Sequence, residues 1–129
     1  MVCVFVLSAF SGIGLHIAGH HDNHEIWHNW AVGHVLTSLL FFIAVIFHVR
    51  THWEWYKGTV KNGMGKKSKV TAVLSVIFLP VSVTGFILLS VNGANSGMGL
   101  WHYKMGLAMI IFSIGHILKR IHLLRKSLK

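Results

Sequence analysis

The chain has 129 residues, enough for one small domain, and is 53% hydrophobic but only 12% charged, about half the charged share of an ordinary soluble domain. Its apolar residues run in long blocks, which is the pattern of an integral membrane protein. The formal charge of +9 comes from twelve Lys and Arg against three acids; because the basic residues gather at the ends of apolar segments, membrane lipid rather than nucleic acid is the expected partner.

Four apolar segments follow in order: 2–18, 30–49, 70–91 and 100–118. A span needs about 20 residues, so the last three qualify and the first only just. Segment one lacks a basic n-region and a small-x-small cleavage site, so a span is expected there rather than a signal peptide. Apolar residues directly after Met1 suggest a first helix that begins before the given start. The helix of segment two is expected to extend to Tyr56. Segment three contains Pro80, where a kink is expected. Segment four continues into a basic helical tail. The predicted fold is all-α, an up-down four-helix transmembrane bundle formed by 1–129 as one domain.

Basic residues orient the spans. Arg50, Lys57, Lys61, Lys66, Lys67 and Lys69 lie between segments two and three, and Lys119, Arg120, Arg125, Lys126 and Lys129 follow segment four. By the positive-inside rule both termini should be cytoplasmic, in the inner membrane of a bacterium. The His-rich connection 19–29 and the connection 92–99 should face outward.

The most informative pattern is a pair of histidine ladders. His34 and His48 are fourteen residues apart in segment two; His102 and His116 are fourteen apart in segment four. Fourteen residues is nearly four helical turns, so each pair shares a face, with its members about 21 Å apart along the axis. In an up-down bundle, segments two and four run in the same direction. His34 and His102 then fall at one depth and His48 and His116 at another. Imidazole is a good axial ligand for haem iron, and two facing ladders suit two bis-histidine haems. Cys3 is the sole cysteine and no Cys-x-x-Cys-His is present, which excludes covalent c-type attachment; the expected cofactors are two b-type haems. Gly33 and Gly115 immediately precede ladder histidines, and Gly106 is one turn after His102, making room for porphyrin edges. Ser38 and Ser113 are candidates to orient imidazoles. Arg50 and Lys119 near the inner pair, and Lys104 near the outer, are propionate candidates, although snorkelling also accounts for them.

Other histidines have weaker cases. His16, at the end of segment one, is an alternative outer ligand; His52, one turn after His48, an alternative inner one. His20, His24 and His28 repeat every fourth residue, a spacing that can bind a metal but also suits a solvated turn. Trp and Tyr residues at span ends form an aromatic belt, a few of them candidates for a quinone pocket. Asp22, Glu25 and Glu54 are the only acids. His52 with Glu54, or His28 with Glu25, are the candidate proton acceptors for a quinol.

Taken together, the ladders look like the haem-binding core of cytochrome b from quinol-oxidising respiratory complexes. More closely, nearly the whole chain resembles a family of small four-helix bacterial membrane proteins of undefined function, of the kind common in the Bacteroides group. The resemblance is carried by Ser11-Gly12-Ile13-Gly14-Leu15-His16, Trp27-His28-Asn29-Trp30, His48-Val49-Arg50-Thr51-His52-Trp53, Trp101-His102 and Gly115-His116-Ile117-Leu118. The N-terminus departs from it, beginning late and without basic residues. The resemblance implies a cytochrome b-like protein working beside flavin-carrying electron-transfer proteins. The expected function is electron transfer between quinone, notably menaquinone, and a flavin- or haem-carrying partner, as a subunit of a quinol-linked oxidoreductase. The rivals are a metal-handling membrane protein using the outer histidines and a non-redox anchor subunit.

Overall fold

In the computed structural model, which describes residues 1–63, 65, 69–91 and 96–127 (the side chains of 122–124 and 127 excepted), every regular element is a helix. The helices are α1 (Val2–Ala18), α2 (His24–Thr51), α3 (Trp53–Asn62), α4 (Lys69–Ser90) and α5 (Gly97–Ser127). They form two compact units, Met1–Gly58 and Thr59–Lys129. In the first, α1 packs on α2; in the second, α4 packs on α5. Lys66, Lys67 and Lys129, which carry part of the orientation argument, lie outside the described residues, as do 92–95 of the connection 92–99.

Two helices, α2 and α4, are long and apolar enough to cross a membrane. Helix α1 is apolar but only 17 residues long. Helix α5 carries His102, Lys104 and His116 inside its apolar stretch, which dilutes its hydrophobic signal. Many large apolar side chains point outward, among them Leu36, Leu40, Ile43 and Phe47 on α2 and Val76, Leu79 and Val83 on α4. Among the described residues, Phe5, Phe41, Val45, Ala18 and Met109 are the buried apolar ones. Outward apolar surface on this scale is what lipid, not water, would cover.

The first unit is an antiparallel hairpin. Helix α1 ends at Ala18, and residues 19–23 turn the chain. Asn23 then caps α2, its side-chain oxygen accepting from the backbone N–H groups of Glu25 (3.1 Å) and Ile26 (3.2 Å), a cap that contributes about 1 kcal/mol. Glu25 adds a favourable negative charge to the first turn. This cap starts α2 six residues before the expected apolar boundary at Trp30, so His24 and His28 are helical while His20 belongs to the turn. Pairing runs in register down the hairpin: the Phe5 and Phe41 rings are 5.7 Å apart, Ser8 meets Ser38 at 2.9 Å, and Phe10 meets Trp30 at 5.7 Å. The Trp30 ring lies directly over Gly14, whose missing Cβ makes the space.

Helix α2 does not run on to Tyr56. It stops at Thr51; His52 leaves the helical region (φ −102°, ψ 21°), and α3 starts at Trp53. The residue pattern changes at that point. Helix α2 is apolar nearly all round, whereas in α3 Glu54, Lys57 and Lys61 fall on one side and Trp53, Tyr56 and Val60 on the other. The Glu54–Lys57 ion pair (2.8 Å) sits on that exposed side.

In the second unit α4 continues through Pro80 without a break in the helix. The Thr84 hydroxyl donates to the Pro80 carbonyl at 2.7 Å, one turn back along the same helix.

Candidate cofactor site

Each ladder lies within one continuous helix: His34 and His48 in α2, His102 and His116 in α5. The fourteen-residue spacing therefore retains its helical meaning. All four are partly buried. The units are treated one at a time.

In the first unit, the imidazole of His34 sits in a small polar island between α1 and α2. Its Nδ1 lies 3.1 Å from Ser11 Oγ and 3.4 Å from Ser38 Oγ. Ser11 is itself buried; its hydroxyl donates to the Ser8 carbonyl at 3.0 Å and meets the Thr37 hydroxyl at 2.9 Å. Thr37 also lies 2.8 Å from the Gly33 carbonyl, so its single proton serves either that carbonyl or Ser11. A hydroxyl has one proton and two lone pairs. With Thr37 giving its single proton to Ser11 rather than to the Gly33 carbonyl, and Ser11 donating to Ser8, the Ser11 oxygen keeps one lone pair for the ring; in that arrangement His34 carries hydrogen on Nδ1. Next along α1, Gly12 presses against the same ring: a methyl there would stand 2.9 Å from His34 Cε1.

In the second unit, His102 is held by the same kind of contact. Its Nδ1 is 2.9 Å from Thr84 Oγ1. The Thr84 proton is taken by the carbonyls of Pro80 (2.7 Å) and Val81 (3.1 Å), so the oxygen can accept Nδ1–H from His102, which also has a hydrogen bond to the Val81 backbone. Gly85 follows Thr84, and a methyl there would stand 3.2 Å from His102 Cε1. One ladder step further, His116 Nδ1 is 3.3 Å from Thr71 Oγ1. Thr71 and Thr84 thus match His116 and His102 across antiparallel helices.

His48 has a different neighbour. Its ring packs edge-on against His52 at 4.7 Å, so the alternative inner ligand is in contact with the expected one. His16 likewise packs against His20 at 4.9 Å, and His20 Nδ1 bonds the His16 carbonyl at 2.9 Å. His28 and His52 are exposed, as are Arg50, Lys104 and Lys119; Lys104 lies over the Trp101 ring at 6.0 Å. Glu54 is paired with Lys57. Among the described residues no three His, Cys, Asp or Glu side chains converge as a metal site. The four-residue repeat of His20, His24 and His28 is not a helical face, because the turn at 19–23 separates His20 from the other two.

Glycines divide into two kinds. Gly12, Gly14 and Gly85 meet a neighbouring ring; Gly33, Gly106 and Gly115, beside the ladder histidines, face open space. Open space next to an oriented imidazole is what a flat macrocycle needs, so the residues present fit haem.

Ser38 was expected beside His34 and is there, at the long end of hydrogen bonding. The shorter partners, Ser11, Thr84 and Thr71, come from the neighbouring helix, so sequence distance hides them. One signal was available: hydroxyl-glycine dipeptides, Ser11-Gly12 and Thr84-Gly85, each in the first helix of a hairpin.

Comparison with family models, with curated proteins and with solved structures found no match.

Proposed function

We propose that this chain is a dihaem b-type cytochrome of the bacterial cytoplasmic membrane, crossing it four times with both termini inside. The observation that supports it most is the orientation of the ladder imidazoles: His34, His102 and His116 each have Nδ1 against a hydroxyl of the neighbouring helix. This is the second-sphere arrangement that histidine ligands of metals use. Isolated polar histidines in apolar helices are costly unless they have a task.

The reading takes the four spans as alternating; under that topology the equal spacing would set His34 and His102 at one depth, near the outer side, and His48 and His116 at another, near the inner side. A haem bound by such a pair would supply one-electron transfer. His34, His102, His48 and His116 would hold the groups, and Gly33, Gly106 and Gly115 leave open space beside these histidines. Arg50, Lys104 and Lys119 are the basic groups for propionates. In this reading the chain is an electron-transfer subunit of a quinol-linked oxidoreductase, passing electrons between menaquinone and a flavin- or haem-carrying partner at one membrane face.

The test is a dithionite-minus-oxidised spectrum and pyridine haemochrome assay on protein expressed with ample haem. Two b-type haems per chain are expected. His34→Ala and His102→Ala should remove one spectral component, His48→Ala and His116→Ala the other. Protein that folds in membranes yet carries no haem would overturn the proposal.

A further inference from the structure

The two hairpins solve the same local problem with the same dipeptide. On α1, Ser11 bonds His34 Nδ1 at 3.1 Å while Gly12 lets the ring edge approach. On α4, Thr84 bonds His102 Nδ1 at 2.9 Å while Gly85 does the same. In both cases the hydroxyl also donates to a carbonyl of its own helix, Ser8 at 3.0 Å and Pro80 at 2.7 Å. Each hydroxyl can thus give its proton to that carbonyl and turn a lone pair to the ring, Ser11 doing so when Thr37 donates to it at 2.9 Å. The inner histidines are held otherwise: His116 by Thr71 at 3.3 Å without an adjacent glycine, His48 against the His52 ring.

We propose that Ser11-Gly12 and Thr84-Gly85 are a repeated positioning clasp that locks His34 and His102 in the Nδ1–H tautomer, presents Nε2 to the iron, and lowers the reduction potential of the outer haem. The clauses on the iron and on the potential rest on the dihaem reading; the tautomer lock does not. Two physical effects follow from it. An imidazole that donates Nδ1–H to an acceptor is a more basic ligand, and a more basic ligand favours ferric over ferrous iron. The glycine removes the one atom that would push the ring off its hydroxyl. Ser11 and Thr84 touch neither iron nor macrocycle; they act through the histidines.

Two measurements separate the clasp from the haem assignment. In haem-free full-length protein in lipid vesicles, nitrogen-15 solid-state NMR of labelled histidine reads tautomers directly. His102 should be in the Nδ1–H form in the wild type and in Thr84→Ser. In Thr84→Val, which keeps the volume and removes the acceptor, it should shift toward the Nε2–H form. Ser11→Ala should do the same to His34 and leave His102 unchanged, so the second hairpin decides the matter if the first variant fails to fold. An unchanged tautomer in folded Thr84→Val and Ser11→Ala overturns the clasp whether or not haem binds. In haem-loaded protein, redox titration should show the component lost in His102→Ala moving to higher potential in Thr84→Val and returning in Thr84→Ser, with the other component fixed. Both components moving equally, or neither moving, overturns the assignment of potential control. Absence of haem in the wild type sinks the dihaem reading and leaves the NMR arm to decide the clasp.

Discussion

Adding one methyl to the clasp should do graded damage, and the structure sets the order. At Gly12 an alanine Cβ would stand 2.9 Å from His34 Cε1, about 0.5 Å inside the 3.4 Å at which ordinary contact begins; at Gly85 the figure is 3.2 Å from His102 Cε1, an overlap of about 0.2 Å. A ring that withdraws by half an ångström stretches the 3.1 Å contact between Ser11 and His34 to about 3.6 Å, which is no longer a hydrogen bond. A withdrawal of 0.2 Å leaves the 2.9 Å contact of Thr84 at about 3.1 Å, still within range. Gly12→Ala should therefore cost about 1–3 kcal/mol for overpacking plus about 1 kcal/mol for the lost bond. Gly85→Ala should cost about 1 kcal/mol or less, since better helix propensity of alanine offsets up to about 1 kcal/mol. Reversible unfolding in mixed lipid–detergent micelles measures both, with Gly33→Ala, which meets no neighbouring atom, as the control. A Gly85→Ala variant as damaged as Gly12→Ala, or a Gly12→Ala variant as stable as the control, would refute the geometric reasoning.

Three further outcomes are expected. Gly33→Ala, Gly106→Ala and Gly115→Ala should leave the haem-free protein as stable as the wild type or up to about 1 kcal/mol more so, yet lower haem content in a pyridine haemochrome assay; equal haem loading would show that no macrocycle edge uses that space. Asn23→Ala removes the acceptor for two backbone N–H groups and should cost about 1 kcal/mol in the same unfolding assay, while Asn23→Ser should recover most of it. Breaking the exposed Glu54–Lys57 pair with Glu54→Gln should change stability by less than about 0.5 kcal/mol, and a quinol-oxidation rate unchanged by it would remove Glu54 as a proton acceptor.

The histidine ladders were legible because a period of fourteen needs only that the segments be helical, and α2 and α5 are helical across them. The start of α2 was not legible from hydropathy, since what begins that helix is one polar side chain, Asn23, and not the first apolar residue. The break at His52 was missed for the converse reason. The sequence stays helix-compatible through Tyr56, and only the change from an all-apolar to a two-sided pattern at Trp53 marks a new axis. The hydroxyl partners belong to neither kind of signal. Ser11 and His34 are twenty-three residues apart and meet only because the turn at 19–23 sets the register of the hairpin. Ser113, three residues before His116, looked a natural orienting group by proximity along its helix. The hydroxyl that reaches His116 is Thr71, on the other helix of the pair.

On the proposed reading, with the helices in a bilayer and the histidines as ligands, the medium accounts for serine and threonine here. In water-exposed metal sites a carboxylate often orients the histidine. Inside a bilayer an ionised carboxylate costs several kcal/mol and would demand a buried counter-charge, which often fails to repay its own desolvation. This chain has only Asp22, Glu25 and Glu54 as acids, all outside the expected spans. A hydroxyl avoids the problem: its proton returns to a carbonyl of its own helix, as at Ser8 and Pro80, and its lone pair serves the imidazole, so no charge is buried. The same neutrality limits how strongly the ring can be polarised. A hydroxyl acceptor should lower the potential of an iron behind it less than a carboxylate would. Replacing Thr84 by Asp, if the helix tolerated it, should therefore drive the outer component further down than Thr84→Val drives it up; a smaller or opposite displacement would mean that ring polarisation does not set the potential.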